Sequence, residues 1–160
     1  MDTAPKSILK RFGITALAAT IVSRFSPSLN CRCRLISADG KFRDPMWMGK
    51  RGEDIATAWL RANRCKILAR NFRAPGGGEV DVVARDGKLL LFIEVKTRRE
   101  GAIIRPLDAV NKEKQRLIER GANDWLRRLR TRQIPWRFDV IEVYLADRAK
   151  PRVNRIRDAF

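Results

Sequence analysis

The 160-residue chain contains no histidine. Imidazole is the usual acid/base group near neutral pH and a common zinc ligand, so Ser-His triads, Cys-His pairs and His-ligated zinc are excluded. The three cysteines, Cys31, Cys33 and Cys65, form no C-x-x-C pair. An odd count without ligand spacing argues against a zinc site and a disulfide framework, and a reducing, cytoplasmic compartment is the simpler expectation. Any chemistry then has to rest on carboxylates, lysine or the single tyrosine. Long apolar runs are missing too. The stretch Phe12–Val22, which follows Lys6, Lys10 and Arg11, is too short to span a bilayer. Its length is closer to that of a signal-peptide core, but no convincing small-residue cleavage site follows, so neither secretion nor a membrane partner is expected.

Positive charge is what the chain has in excess. Thirty-five Lys and Arg residues face 18 Asp and Glu, a formal +17. A polyanionic partner is the natural inference, nucleic acid first among them. At 44% hydrophobic residues the chain is too apolar for a disordered basic tail. Its length allows one domain with one core. Residues 1–45 read as an extension, poorly ordered or lying upstream of a true start near Met46 or Met48, and residues 46–160 as the domain. That domain keeps 27 basic against 15 acidic residues, so its basicity is intrinsic.

Along the domain, Gly52–Asn63 places Ile55, Ala58, Trp59 and Ala62 at helical spacing, with Glu53 and Asp54 in the expected first turn. Cys65–Phe72 suits a strand, which Ala74-Pro75-Gly76-Gly77-Gly78 then breaks. Glu79–Arg85, the turn pair Asp86-Gly87 and Lys88–Thr97 form the strongest hairpin pattern. Pro106 opens a long helical stretch whose stripe includes Leu107, Val110, Ile118, Ala122, Trp125 and Leu126, with Gly121 as the point where it would bend or divide. Arg137–Leu145 alternates as a strand, and Val153–Ile156 follows as a short edge strand. The order α-β-β-β-α-β predicts an α/β fold, a central sheet flanked by helices.

A two-residue turn at Asp86-Gly87 sets Asp81 opposite Phe92 and Glu79 opposite Glu94, and parity sorts the faces. Val80, Val82, Ala84, Leu89, Leu91, Ile93 and Val95 make an apolar face. Glu79, Asp81, Glu94 and Lys96 share the other with Val83, Leu90 and Phe92. Three acids on one sheet face repel unless something compensates. A divalent cation such as Mg2+ or Mn2+ would compensate, because hard ions take carboxylate oxygens and keep positions open for water and phosphate. An exposed lattice of ion pairs with nearby arginines is the other reading. Lys96, two residues beyond Glu94, can steady a phosphate or the attacking water.

The spacing of Asp81, twelve residues, then Glu94-Val95-Lys96 resembles the D-x(n)-(D/E)-x-K signature of the PD-(D/E)xK nuclease superfamily. Its surroundings are more specific: Gly52-Glu53, Ala-Arg-Asn-Phe-Arg at 69–73, Gly78-Glu79-Val80-Asp81, Phe92 to Arg98, Lys114 with Arg116-Leu117, and Arg137-Phe138-Asp139-Val140. In order and spacing these are similar to YraN-type bacterial proteins, a largely uncharacterised family whose fold is related to archaeal Holliday-junction resolvases. The resemblance runs from about Gly49 to Phe160. It implies an αβββαβ restriction-endonuclease-like core with a mixed central sheet. It also implies that Asp81 and Glu94 are metal ligands, with the carbonyl of Val95 a third, and that Lys96 is the catalytic lysine. Glu53 would be the helix-borne acid completing the site, unless it is only a first-turn acid. Glu79 would touch metal through water or pair with an arginine, while Asp139 reads as structural. The proline of the PD element is absent, Val80 standing before Asp81.

The activity so implied is metal-dependent endonucleolytic hydrolysis of phosphodiester bonds in DNA, with branched or structured DNA as the expected substrate. The alternative is a non-catalytic nucleic-acid-binding protein that retains the nuclease fold. Arg98, Arg99, Lys112, Lys114 and Arg116 are the expected phosphate contacts, with Arg105 and Arg132 in the same basic stretches. A homodimer follows only from the resolvase analogy. Trp59 and Trp125 read as core residues, and Trp47 and Trp136 as packing residues rather than base-stacking platforms.

Overall fold

A computed structural model describes residues 27–102, 111–130 and 133–160. The apolar run at 12–22, the helical opening expected from Pro106 to Val110, Arg105 and Arg132 lie outside the described residues. The chain runs α1 (Pro27–Asn30), α2 (Pro45–Ala62), β1 (Lys66–Arg73), β2 (Glu79–Asp86), β3 (Leu89–Arg99), α3 (Lys112–Arg128), β4 (Trp136–Leu145) and β5 (Arg152–Ile156). The strands form one sheet in the order β1-β2-β3-β4-β5. All neighbours are antiparallel except β3 and β4, which are parallel and joined across α3. The sheet is therefore mixed, as predicted. No helix among the described residues is long and apolar enough to cross a membrane.

Each face of the sheet carries one helix. Met48, Ile55, Ala56 and Leu60 of α2 pack on Val82, Ala84, Leu91, Ile93, Ile141 and Val143. Ile118, Ala122 and Leu126 of α3 pack on Val83, Leu90, Phe92 and Phe138. A helix buries residues three and four apart along one stripe and a strand every second residue, and the two periods meet in these two layers.

Four expectations are corrected here. Helix α2 starts two turns earlier than Gly52, because Asp44 caps it by accepting from the Trp47 N–H at 2.8 Å and Pro45 sits in its first turn. Glu53 and Asp54 are thus mid-helix residues, and the first-turn explanation for Glu53 falls. The hairpin turn is Gly87-Lys88 rather than Asp86-Gly87, since Asp86 pairs with Leu89. Gly87 supplies the required positive φ, 59°. Parity survives, but every partner moves by two, so Asp81 comes level with Glu94, one step beyond the last ladder pair Val82–Ile93.

Val80 lies on the α3 side with Phe72, not with Val82. The alternation slips at Asn71, which adopts a left-handed φ of 48° midway between the pairs Arg70–Val82 and Phe72–Val80. Finally, residues 29–43 of the expected extension belong to the fold. Leu29, Cys33 and Leu35 are buried in the core cluster with α2, and Cys33 bridges Ala149: its N–H donates to the Ala149 carbonyl at 3.0 Å and its carbonyl accepts from the Arg148 N–H at 2.7 Å. The pattern Cys31-Arg32-Cys33-Arg34-Leu35, alternating buried and exposed from Arg32 on, carried this signal.

Candidate functional site

The loop Ala74–Gly78 sets the entry of β2. It is a tight turn closed by the Ala74 N–H on the Gly78 carbonyl at 2.7 Å, with Gly77 at φ 82°. Gly78 then meets α3 backbone to backbone: a Cβ there would lie 2.2 Å from the Gly121 nitrogen. Gly121 neither bends nor divides the helix, which continues to Arg128. Its role is to let α3 lie directly on the start of β2. Lys114 is seven residues, two turns, before Gly121 and so shares its face. The Asn111 side chain fixes that first turn by accepting from the Lys114 N–H at 2.8 Å.

The consequence is a buried charge cluster. Asp81 and Glu94 are 8% and 4% exposed. Asp81 Oδ2 accepts the Val95 N–H at 2.8 Å, which orients the carboxylate where the β2–β3 ladder ends. Lys96 Nζ lies 3.2 Å from Glu94 Oε1, and Lys114 Nζ lies 3.4 Å from Glu94 Oε2 and 3.6 Å from Glu79 Oε1. Glu94 Oε2 nevertheless receives no hydrogen bond, because the Lys114 contact is an ion pair without donor geometry.

Burial, with the neighbouring Asp81 charge, pushes the Glu94 carboxyl up to about 7 against the pull of Lys114 and Lys96. Burial alone would lower Lys114, but Glu94, Asp81 and Glu79 outweigh it, and its ammonium is held above the usual lysine range.

The predicted residues divide accordingly. Asp81, Glu94 and Lys96 come together, and Val95 joins through its backbone N–H. Glu53 does not join them: its recorded ion pair is with Arg70 at 3.9 Å, on the α2 side. Among the described residues no three His, Cys, Asp or Glu groups converge into a metal-holding cluster. Glu79 pairs with Lys114 and, at 3.9 Å, with Arg73. Lys114, expected as a phosphate contact, lies in this cluster against Glu94 and Glu79, a placement that sequence spacing missed because it depends on α3 lying on the start of β2 at Gly78 and Gly121.

Arg98 is also drawn inward, 14% exposed beside Glu142 at 3.5 Å. Arg99, Lys112 and Arg116 stay exposed. Trp125 packs edge-on to Phe72 and Trp136 edge-on to Phe138, as core and packing residues.

A mixed αβββαβ sheet between two helices, with the acid of β2 level with the E-x-K segment of β3, defines a restriction-endonuclease-like core. The profile of an uncharacterised protein family, UPF0102, matches residues 52–143. The chain belongs to that family. A UPF0102 protein of Geobacter sulfurreducens is 48% identical over 113 residues, 71% of this chain and 88% of that one. Relatives from Geotalea uraniireducens and Rhodococcus opacus are 43% and 39% identical over 113 residues, 71% of this chain and 88% and 95% of theirs. The site residues Asp81, Glu94, Lys96 and Lys114 all lie inside the matched segment.

Proposed function

We propose that this chain is a metal-dependent endonuclease acting on DNA, with Asp81, Glu94 and Lys96 at the reacting phosphate. One observation carries the reading: two buried carboxylates stand level on adjacent strands, and one oxygen of Glu94 is met by Lys114 at 3.4 Å as an ion pair, without a well-formed hydrogen bond. Such an arrangement is costly in a purely structural site. It fits a hard divalent cation, Mg2+ or Mn2+, which Asp81 and Glu94 would hold. When bound, that ion supplies charge for the phosphoryl oxygens and lowers the pKa of a coordinated water.

The chain's own groups have separate tasks. Asp81 is oriented by the Val95 N–H and presents its other oxygen to the site. Lys96, about one-third exposed, reaches from the buried acid towards solvent and can bind a non-bridging phosphate oxygen as charge develops there. Lys114 balances the acids from the α3 side while no substrate is bound, and can turn to the backbone of an incoming strand. Exposed Arg99, Lys112 and Arg116 would add sequence-independent phosphate contacts.

The test uses supercoiled and four-way-junction DNA with Mg2+ or Mn2+ and then with EDTA. Cutting is expected with metal only, with Asp81→Ala at background and Lys96→Ala slower by about a hundredfold or more. A second reading, a nucleic-acid-binding module without catalysis, is favoured by Glu53 being tied to Arg70 instead of completing the acid set. Salt-sensitive binding with no cutting under any metal, unchanged in both variants, would establish that reading in its place.

A further inference from the structure

A second basic feature lies outside both the matched family segment and the carboxylate site. Between the extended segment 31–34 and helix α2 runs a groove of about 600 Å³ lined by Arg32, Arg34, Arg43, Trp47, Lys50 and Arg51. It continues into a cleft of about 790 Å³ that shares Arg32, Arg34 and Arg43 and adds the ion pair Arg148–Asp147, at 3.6 Å. The family match begins only at residue 52, so all the cations that line this groove precede it.

Two observations bear on what it binds. The segment is held rigidly: Cys33 and Leu35 are buried, and the Leu35 N–H donates to Asp147 at 2.7 Å. Arg32 and Arg34 therefore stand on the outward face, about 7 Å apart, by the strand repeat. Most of these cations also lack an acid partner. Among the described residues no carboxylate forms an ion pair with Arg32, Arg34, Lys50 or Arg51, Arg43 interacts with Asp39 through charge alone, and Asp54, the acid in the groove wall, is engaged by Arg70 at 2.6 Å. Arg43 lies over the Trp47 ring, 5.2 Å from its centroid.

We propose that this groove binds the sugar–phosphate backbone of a nucleic acid strand. Binding there does not depend on the nuclease reading. A concave row of guanidinium groups with an aromatic ring suits a strand better than a bilayer, which meets convex surfaces. Repulsion among the unpaired cations falls when phosphates enter and release their counterions.

The test measures fluorescence anisotropy of the full chain with labelled single-stranded and duplex oligonucleotides, in EDTA across a salt series. Arg32→Glu/Arg34→Glu is compared with Arg85→Glu/Lys88→Glu, an equal charge change at the far end of the β2–β3 hairpin. Thermal melts followed by circular dichroism check that both stay folded. The groove variant is expected to bind about tenfold or more weakly than the control. The neutral variant Arg32→Gln/Arg34→Gln should have a log–log salt slope lower by about 1.4 to 1.8, as expected for two lost phosphate contacts.

Equal losses in groove and control variants would overturn the proposal. So would groove variants that lose binding to phosphatidylglycerol vesicles while keeping that to oligonucleotides. The two readings separate cleanly. Binding lost in the groove variant of a chain that never cuts sinks the nuclease alone, whereas a groove variant that binds and cuts normally sinks the groove alone.

Discussion

Asp139 and Glu94 are both buried acids, one ladder position apart on neighbouring strands, yet their surroundings are opposite in kind. Asp139 pairs in register with Ile93, the residue before Glu94. Its fully buried carboxylate accepts from Arg137 Nε at 2.8 Å, Arg155 Nε at 2.8 Å and the Asp158 N–H at 3.1 Å, so both oxygens are satisfied. Glu94 has two ammonium groups at 3.2 and 3.4 Å, one oxygen without a hydrogen bond, and a second acid beside it. A buried acid that the protein has fully neutralised is a structural part. One left under-satisfied keeps coordination capacity for something else.

The largest effect that would break this comparison is at Asp139. Asp139→Ala leaves Arg155, 6% exposed, and Arg137 facing each other without their acid. Removing one partner of a buried charge set costs about 3–5 kcal/mol, and urea denaturation should register a loss of that size. A cost below about 1 kcal/mol would mean that Asp139 is no better integrated than a surface acid. Next comes Gly78→Ala. Its methyl would overlap the Gly121 backbone and push α3 off β2, at a cost of about 1–3 kcal/mol. Because Lys114 rides on that helix, metal-dependent cutting should fall in this variant even at temperatures where it is fully folded. Unchanged cutting would show that Lys114 need not sit against Glu94.

The contrast between the two acids was partly legible beforehand. Parity placed Glu94 and Lys96 on one face whatever the exact turn, because shifting a hairpin register by two leaves faces intact. The E-x-K spacing therefore survived a misplaced turn, and Asp139 on an alternating strand read as structural. Three features were hidden. The slip at Asn71 depends on one left-handed residue inside a strand pattern, and it carried Val80 to the α3 side. Lys114 is brought to the site by a glycine–glycine contact between segments more than forty residues apart, which no local periodicity encodes. Helix α2 starts at Pro45 because of its Asp44 cap, and that placement moved Glu53 from a first-turn role to the middle of a helix facing Arg70. The groove residues Arg32 and Arg34 were readable only as an alternation of two short pairs, easily lost in an extension with no other pattern.

The smallest expected effect is also the one that most directly probes the under-satisfied acid. Glu94 has its carboxyl pushed up to about 7 by burial and by Asp81, against 4.5 for an ordinary glutamate. Below pH 4.5 the group is protonated in folded and unfolded chains alike, and the fold bears no penalty from it. As pH rises from 4.5 towards 7 the unfolded chain releases the proton while the folded one retains it, so stability falls, by at most about 1.4 kcal/mol per pH unit. Above 7 both states are ionised and the loss is complete.

Glu94→Gln removes the titration but keeps the shape. In EDTA the variant should match the wild type near pH 4 and exceed it by about 1–2 kcal/mol at pH 8, measured by urea denaturation at each pH. Adding Mg2+ should then stabilise the wild type at pH 8 and leave the Gln variant unmoved, because only a charged acid pair rewards the ion. A Gln variant less stable than wild type at pH 8 without metal would mean that Lys96 and Lys114 satisfy Glu94 as fully as the arginines satisfy Asp139. The distinction between a structural acid and a coordinating one would then disappear from this sheet.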